Sequence, residues 1–282
     1  MIRPSCLLAS ALTAGMLLST AACSNGGGDG SGSGRTDSPA SPASTVPASP
    51  VAEEPGAASP SPSASVRTLT RSEAQTALIT NSDLGSQWDE SKGVAAWHDV
   101  LLKSKVDASA FVTDKGNAAQ CQKLLDGLYK EDLLGTPQGA GAVTGFDDSS
   151  NDAQMRYEVA SYGKSSLDAQ LKWLATLPDV CDQFTAVNGK GDRQTVQVIE
   201  THLPDAGDAR QGLRVTMSGE LEGDPDTLTL DFAAVRVGDS ALSLTNGGLS
   251  GTDHQSTEQA VQAGTKRLQD VLAGKSPAPT QG

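Results

Sequence analysis

The alternation of apolar and polar residues after position 181 is the feature that most constrains how this chain can fold. It predicts β-strands, separated by turn-rich breaks, over residues 195–203, 212–219, 227–237 and 241–244. Successive strands joined by short links favour an antiparallel meander. Gly238 and Asp239 predict a tight hairpin between the last two strands.

The third predicted strand changes phase along its length. Up to Phe232 its large apolar residues occupy even-numbered positions, whereas Val235 and Val237 lie at odd-numbered ones. Because the side chains of a strand alternate between two faces, this shift predicts a β-bulge near Ala234.

Apolar residues at helical spacing occur in four other stretches. Thr70 and Glu73 form a capping box at the start of the first one. The predicted helices cover residues 70–79, a stretch that starts at 117, residues 165–181 and residues 257–272. Residues 142–146 and 153–162 predict one more hairpin. Together these patterns predict an α+β fold, in which helices pack on one side of an antiparallel β-sheet.

The composition changes sharply near residue 67. Residues 23–66 consist almost wholly of Gly, Ser, Pro, Ala and Thr and contain no aromatic residue. Such a segment cannot bury enough apolar surface to fold, so we expect a disordered linker with a reach of about 35 Å. Residues 67–275 are enough for a single α+β domain with its own core, followed by a disordered tail over 276–282.

The first 22 residues have the pattern of a signal peptide. Arg3 precedes an apolar run over residues 7–18 that is too short to span a bilayer as a helix. Thr20 to Cys23 resembles a bacterial lipobox, in which the cysteine receives acyl chains such as palmitate. The alternative is an ordinary secretory signal that is cut after Ala22 and leaves a free thiol.

We favour lipidation of Cys23. Two acyl chains give a stable membrane anchor, whereas an unpaired thiol in a secreted protein is a liability. A lipoprotein of this kind would be extracytoplasmic and lie on the outer face of the cytoplasmic membrane.

Two cysteines remain in the expected domain, Cys121 and Cys181, because Cys6 would leave with the signal peptide. An even pair outside the cytoplasm favours a disulfide bond. A redox centre usually has a CxxC pair, and a zinc site needs more thiols or imidazoles nearby. A bridge that closes a loop of about sixty residues would contribute about 4 kcal/mol in the chain-entropy model.

The chain is acidic, with 34 Asp and Glu against 21 Lys and Arg and a net charge of −13. This charge argues against nucleic-acid binding and against electrostatic adhesion to an anionic membrane. We therefore expect membrane contact through the lipid anchor. The expected partner is an unidentified small molecule or protein of the cell envelope.

Three segments resemble the actinobacterial PknH-like extracellular sensor domain family. They are AQTALITNSDLGSQW at residues 74–88, LPDVCDQF at 177–184 and AVRVGDSALSL at 234–244. The resemblance implies an α/β domain with an open cleft for an unidentified ligand and without catalytic activity. The kinase version carries two disulfides and this chain can form one. The chain also has no kinase segment, so no direct signalling output is expected.

Motifs of known enzymes are missing from the sequence. It contains no GxSxG elbow, HExxH, GxxxxGK[ST] or GxGxxG pattern. The three histidines, His98, His202 and His254, lie in separate predicted elements without ligand spacing, and Ser250 lies in an ordinary loop. The sequence therefore predicts no catalytic residue and no cofactor.

One acidic stretch has the spacing of a calcium-binding loop. Asp147, Ser149, Asn151 and Glu158 occupy ligand positions, but Asp152 stands where an EF-hand requires Gly. The residues that follow alternate like a strand instead of entering a helix. We therefore expect a solvated hairpin turn and no metal.

Tryptophans supply the candidate ligand-binding residues. Trp88 and Trp97 lie in irregular chain, where binding residues concentrate, and we expect them to border a ligand cleft. The alternative, which is the more common outcome for a tryptophan in a loop, is that they plug the edge of the core.

Three classes of function stay open on the sequence. The favoured one is a lipoprotein with a non-catalytic ligand-binding or sensory domain. The second is a cell-envelope hydrolase that uses paired carboxylates. The third is a structural envelope protein that shows neither a pocket nor such a pair.

Overall fold

The computed structural model describes residues 67–96, 102–111, 115–148, 150–221 and 224–277. Within these ranges the chain forms one nine-stranded sheet and five α-helices. The predicted signal peptide and linker lie outside the described residues. Among the helices of the described ranges, none has the length and apolar character needed to cross a bilayer.

The nine strands pair antiparallel throughout, in the order β1-β3-β4-β9-β8-β7-β6-β5-β2. Their bounds are β1 Trp88–Ser91, β2 Lys105–Val106, β3 Gly141–Asp148, β4 Ala153–Ser161, β5 Gln183–Val187, β6 Arg193–Glu200, β7 Ala209–Leu221, β8 Asp224–Val237 and β9 Ser240–Gly248. The predicted meander and the predicted hairpin are therefore confirmed. The short edge strands β1 and β2, and β5 beside β2, were not predicted.

The helices lie close to the predicted positions. They are α1 Arg71–Thr76, α2 Asn81–Leu84, α3 Asn117–Lys130, α4 Lys164–Val180 and α5 His254–Leu272. The capping box of α1 is present, since the hydroxyl of Thr70 accepts from the Glu73 N–H at 3.2 Å and the Glu73 carboxylate accepts from the Thr70 N–H at 2.9 Å. The first helix is shorter than predicted, and a second short helix, α2, follows it.

The two faces of the sheet are covered by different helices. On one face, α3 and α4 pack over a cluster that includes Leu230 and Phe232 of β8. On the opposite face, α1, α2 and α5 pack over a cluster that includes Ala233 and Val235 of the same strand. The α+β class is confirmed, but the expectation that the helices lie on one side is corrected to both sides.

Burial on both faces also explains the phase shift in β8. The strand pairs residue for residue with both neighbours through the position expected to bulge, where Ala234 lies opposite Gln211 of β7 and Ser243 of β9. The predicted bulge is therefore wrong. A strand that is covered on both faces can carry apolar residues at consecutive positions without any change of register.

The predicted disulfide between Cys121 and Cys181 is present. Its Cα atoms lie 5.6 Å apart, and both residues are buried under the helices of one face. The bridge joins the second turn of α3 to the residue that follows α4.

Candidate functional site

One cleft lies between the end of α3 and the sheet face formed by β3, β4, β8 and β9. Its volume is about 640 Å³, within the range of about 300–1,000 Å³ that is typical of small-molecule sites. The residues that line it are Leu102, Leu128, Glu131, Asp147, Asp148, Asp152, Ala153, Gln154, Arg156, Leu228, Leu230, Thr245, Gly247, Gly248, Leu249 and Ser250.

Leucines form the apolar part of the cleft. Leu228 and Leu230 come from β8, and Leu128 comes from the last turns of α3. Leu249 follows β9 at the rim and is 44% exposed, which is unusual for a large apolar side chain in the part of the chain that the structure describes. The cleft therefore offers an apolar surface that a ligand could cover.

Arg156 of β4 is held between two glutamates on the wall of the cleft. Its Nη1 lies 2.9 Å from Glu158 Oε2, and its Nε is ion-paired with Glu131. Glu131 ends α3 in the left-handed region, with φ 57°, where the chain turns away from the helix. All three side chains are less than one-fifth exposed, so the guanidinium charge is already balanced inside the protein.

The turn between β3 and β4 forms the mouth of the cleft. Asp148 is buried, and its carboxylate accepts from the Ser150 N–H at 2.9 Å and from the Asn151 amide at 2.8 Å. Asp147 accepts from the Gln154 amide at 2.9 Å. These contacts confirm the predicted hairpin turn. They also show that Asp148 serves to close the turn.

A smaller space lies behind the Arg156–Glu131 pair. It holds about 20 Å³ and is bordered by Leu133, Tyr162 and Phe232, which is room for about one water molecule. Burial raises the pKa of Tyr162. The pair therefore separates the open cleft from an apolar interior.

Trp88 is a core residue. It begins β1, only 1% of its surface is exposed, and its indole N–H donates to Ser256 Oγ of α5 at 3.3 Å. It does not line the cleft described above. This corrects the expectation that Trp88 borders a ligand site and matches the alternative of a core plug. Trp97 lies outside the described residues, so its role stays a prediction.

A buried charged cluster on the opposite face was missed by the sequence analysis. Asp231 of β8 is fully buried and accepts two hydrogen bonds from Arg214, at 2.7 and 3.0 Å. His254, the first residue of α5, places Nδ1 at 2.7 Å from the same carboxylate. An aspartate in the middle of a long apolar strand was the one sequence feature that could have indicated this cluster.

His254 and Asp231 have the relative position of a catalytic base and its orienting carboxylate, but the outer nitrogen is occupied. His254 Nε2 lies 2.9 Å from the backbone oxygen of His202. A general base needs that nitrogen to face a substrate or nucleophile. The cluster therefore ties the start of α5 to β8 and to the segment after β6.

One Ser-x-x-Lys pattern, from Ser161 to Lys164, is present in the sequence. Ser161 is buried, and its hydroxyl contacts the Leu69 N–H at 2.9 Å and the Ser240 hydroxyl at 3.1 Å. Lys164 is ion-paired with Asp168 of its own helix. Neither side chain is available for nucleophilic catalysis.

Hydrogen bonds lower the pKa of several carboxyl groups outside the cleft. In each case the largest contribution comes from a donor within four residues along the chain, and the groups are Glu73, Asp107, Asp168 and Asp270. A lowered pKa keeps a carboxylate ionised, which does not suit a general acid. Across the described residues, no group of three or more His, Cys, Asp or Glu side chains is placed to hold a metal ion.

The fold and the cleft define an α+β domain with a concave, partly apolar site. No family model matches the sequence, and no curated protein matches it. Among solved structures, it is similar to the crystal structure of the extracellular domain of PknH from Mycobacterium tuberculosis, with a TM-score of 0.38 and 11% sequence identity. The match covers 74% of this chain and 99% of that chain. A similarity of this size carries no argument about function.

Proposed function

We propose that the protein is a membrane-anchored extracytoplasmic lipoprotein whose α+β domain binds a ligand without converting it. The lipobox-like residues before Cys23 support the anchor, and the composition of residues 23–66 supports a flexible tether. The ligand would be a small molecule of the cell envelope. The proposed binding site is the cleft between the end of α3 and the β3–β4 turn.

The cleft itself is the observation that carries the proposal. It joins an apolar floor, including Leu228 and Leu230, to a polar mouth, and its walls are fixed by β-strands and by ion pairs. Small-molecule sites typically combine an apolar lining with a few polar groups on a rigid frame. The cleft therefore replaces Trp88 as the proposed location of the ligand.

The state of the polar groups supports binding over catalysis. Arg156 is neutralised by two glutamates, and Asp148 is occupied in closing a turn. A hydrolase with paired carboxylates would need one group with a raised pKa facing an ionised partner across the cleft.

N-phenyl-1-naphthylamine, an uncharged dye that fluoresces in apolar surroundings, is a suitable probe of the cleft. The full chain with Cys23→Ala, which removes the proposed anchor, should bind it saturably. Gln154→Trp should abolish most of this binding, because residue 154 lies exposed on β4 inside the cleft and an indole would fill it.

Gln197→Trp is the matched control, since Gln197 is an exposed glutamine in the middle of β6 and does not line the cleft. We expect this variant to bind the dye like the parent, with both variants melting at the same temperature. Equal dye binding by the two variants would show that the cleft is not the site. Conversion of cell-wall polymer by the parent would contradict the non-catalytic assignment.

A further inference from the structure

Negatively charged residues outnumber positively charged ones around the cleft. Arg156 is the sole cationic residue among the described residues that line the cleft, and it is bound by Glu131 and by Glu158. The other charged residues of the lining are aspartates of the β3–β4 turn. Once the Arg156 ion pairs are formed, the mouth of the cleft therefore has a negative potential.

The aspartates near the turn differ in their burial and in the hydrogen bonds that they already accept. Asp148 is buried and bonded within the turn, and Asp147 accepts from the Gln154 amide and from the Ser91 hydroxyl, both of which are uncharged donors. Asp152 is exposed and has a left-handed backbone, with φ 51°. Asp147 and Asp152 thus place negative charge at the mouth, where Arg156, already paired with two glutamates, is the one cation among the described residues of the lining.

The apolar part of the cleft lies next to this charge. Leu228 and Leu230 form the floor, and Leu249 exposes a large apolar surface at the rim. A ligand that matched both parts would have an apolar chain to cover the leucines and a positive group near the turn. The volume of about 640 Å³ is sufficient for a molecule of this kind.

We propose that the ligand of the cleft is an amphiphile with a cationic head group, whose charge lies between Asp147 and Asp152 and whose apolar chain lies on Leu228, Leu230 and Leu249. This inference rests on the proposed function, because it assigns a chemical class to the ligand of the same site. The two carboxylates at this solvated mouth, Asp147 and Asp152, would favour a cation over an anion of equal size by about tenfold.

Octyltrimethylammonium and octyl sulfate, used below their micellar concentrations, test the inference because their chains are matched and their charges are opposite. Calorimetric titration of the full chain with Cys23→Ala should give about tenfold tighter binding of the ammonium probe. Raising the salt concentration should reduce this preference, because the mouth is open to solvent.

The double variant Asp147→Asn, Asp152→Asn should lose most of the preference. Asparagine tolerates the left-handed backbone at position 152, so the turn should keep its shape. The control variant Asp179→Asn, Asp182→Asn removes equal charge at two exposed positions, one in the last turn of α4 and one just before β5, which do not line the cleft, and should keep the preference.

Two outcomes would overturn the inference. One is equal or tighter binding of octyl sulfate by the parent, and the other is an equal effect of the two double variants. Either result could occur while the naphthylamine dye still bound and Gln154→Trp still blocked it, in which case the proposed function would stand and only the cationic class would fail. Loss of dye binding as well would remove both.

Discussion

Tyr157 of β4 lies entirely in the core against α5. Its hydroxyl has no hydrogen-bond partner among the described residues. Gly264 of α5 leaves room for it, because a Cβ at that position would lie only 2.1 Å from the hydroxyl oxygen. The close approach of strand and helix at this point therefore depends on a glycine in the middle of α5.

Burial raises the pKa of Tyr157 above its ordinary value near 10. Above pH 10 the unfolded chain loses this proton while the folded chain keeps it, so folding stability should fall as pH rises, by about 1.4 kcal/mol per pH unit for one tyrosine. Tyr157→Phe should leave stability at pH 7 nearly unchanged, since no hydrogen bond is lost. Urea unfolding at pH 7, 10 and 11 should show a flatter profile for the variant than for the parent. Parallel profiles would contradict this account.

Some features of single residues could be predicted from the sequence, and others could not. The capping box of Thr70 and Glu73 could be predicted because both partners lie within one turn of helix. The core position of Trp88 and the buried cluster around Asp231 could not, because they depend on α5, which is more than twenty residues away from Asp231 and far more from Trp88. Periodicity reports the face of an element, not what covers that face.

At the scale of elements, β8 was the most instructive. Its alternation was predicted correctly, and its change of phase at Ala234 was interpreted as a bulge. The strand instead lies in the middle of the sheet with helices on both faces. The short strands β1 and β2 escaped prediction because four and two residues are too few to show a period.

The disulfide is the covalent link between elements, and its removal should be measurable. Cys121 and Cys181 are 60 residues apart in sequence, for which the chain-entropy model gives about 4 kcal/mol. The variant Cys121→Ser, Cys181→Ser should therefore unfold at a lower urea concentration than the parent. Treating both proteins with a reducing agent supplies the control, since the agent should destabilise the parent and leave the variant unchanged. Equal midpoints before reduction would contradict the prediction.

At the scale of the whole molecule, the membrane anchor is the part of the proposal that rests on sequence alone. Cys23→Ala should release the protein from the membrane fraction of cells that produce it, because the acyl chains would have no site of attachment. Cys6→Ala, in the predicted signal peptide, is a matched control that should stay with the membrane. A Cys23→Ala protein that sediments with membranes like the parent would show that the anchor lies elsewhere.

The position of the cleft could not be predicted from the sequence. Its residues come from the end of α3, the β3–β4 turn, and strands β4, β8 and β9, which are far apart along the chain. The acidic turn attracted attention in the sequence for its resemblance to a calcium loop, and it does lie at the mouth. The leucines of β8 that form the floor of the cleft can be placed next to this turn only when the order of the strands is known.

The binding of a ligand in this cleft is the central claim, and residue-resolved NMR tests it most directly. The full chain with Cys23→Ala, labelled with ¹⁵N, would be titrated with N-phenyl-1-naphthylamine. The account predicts saturable shift changes at the amides of Gln154, Leu230 and Thr245, with none along β5. Shift changes confined to β5 and β6, or no saturable change at any cleft amide, would contradict it.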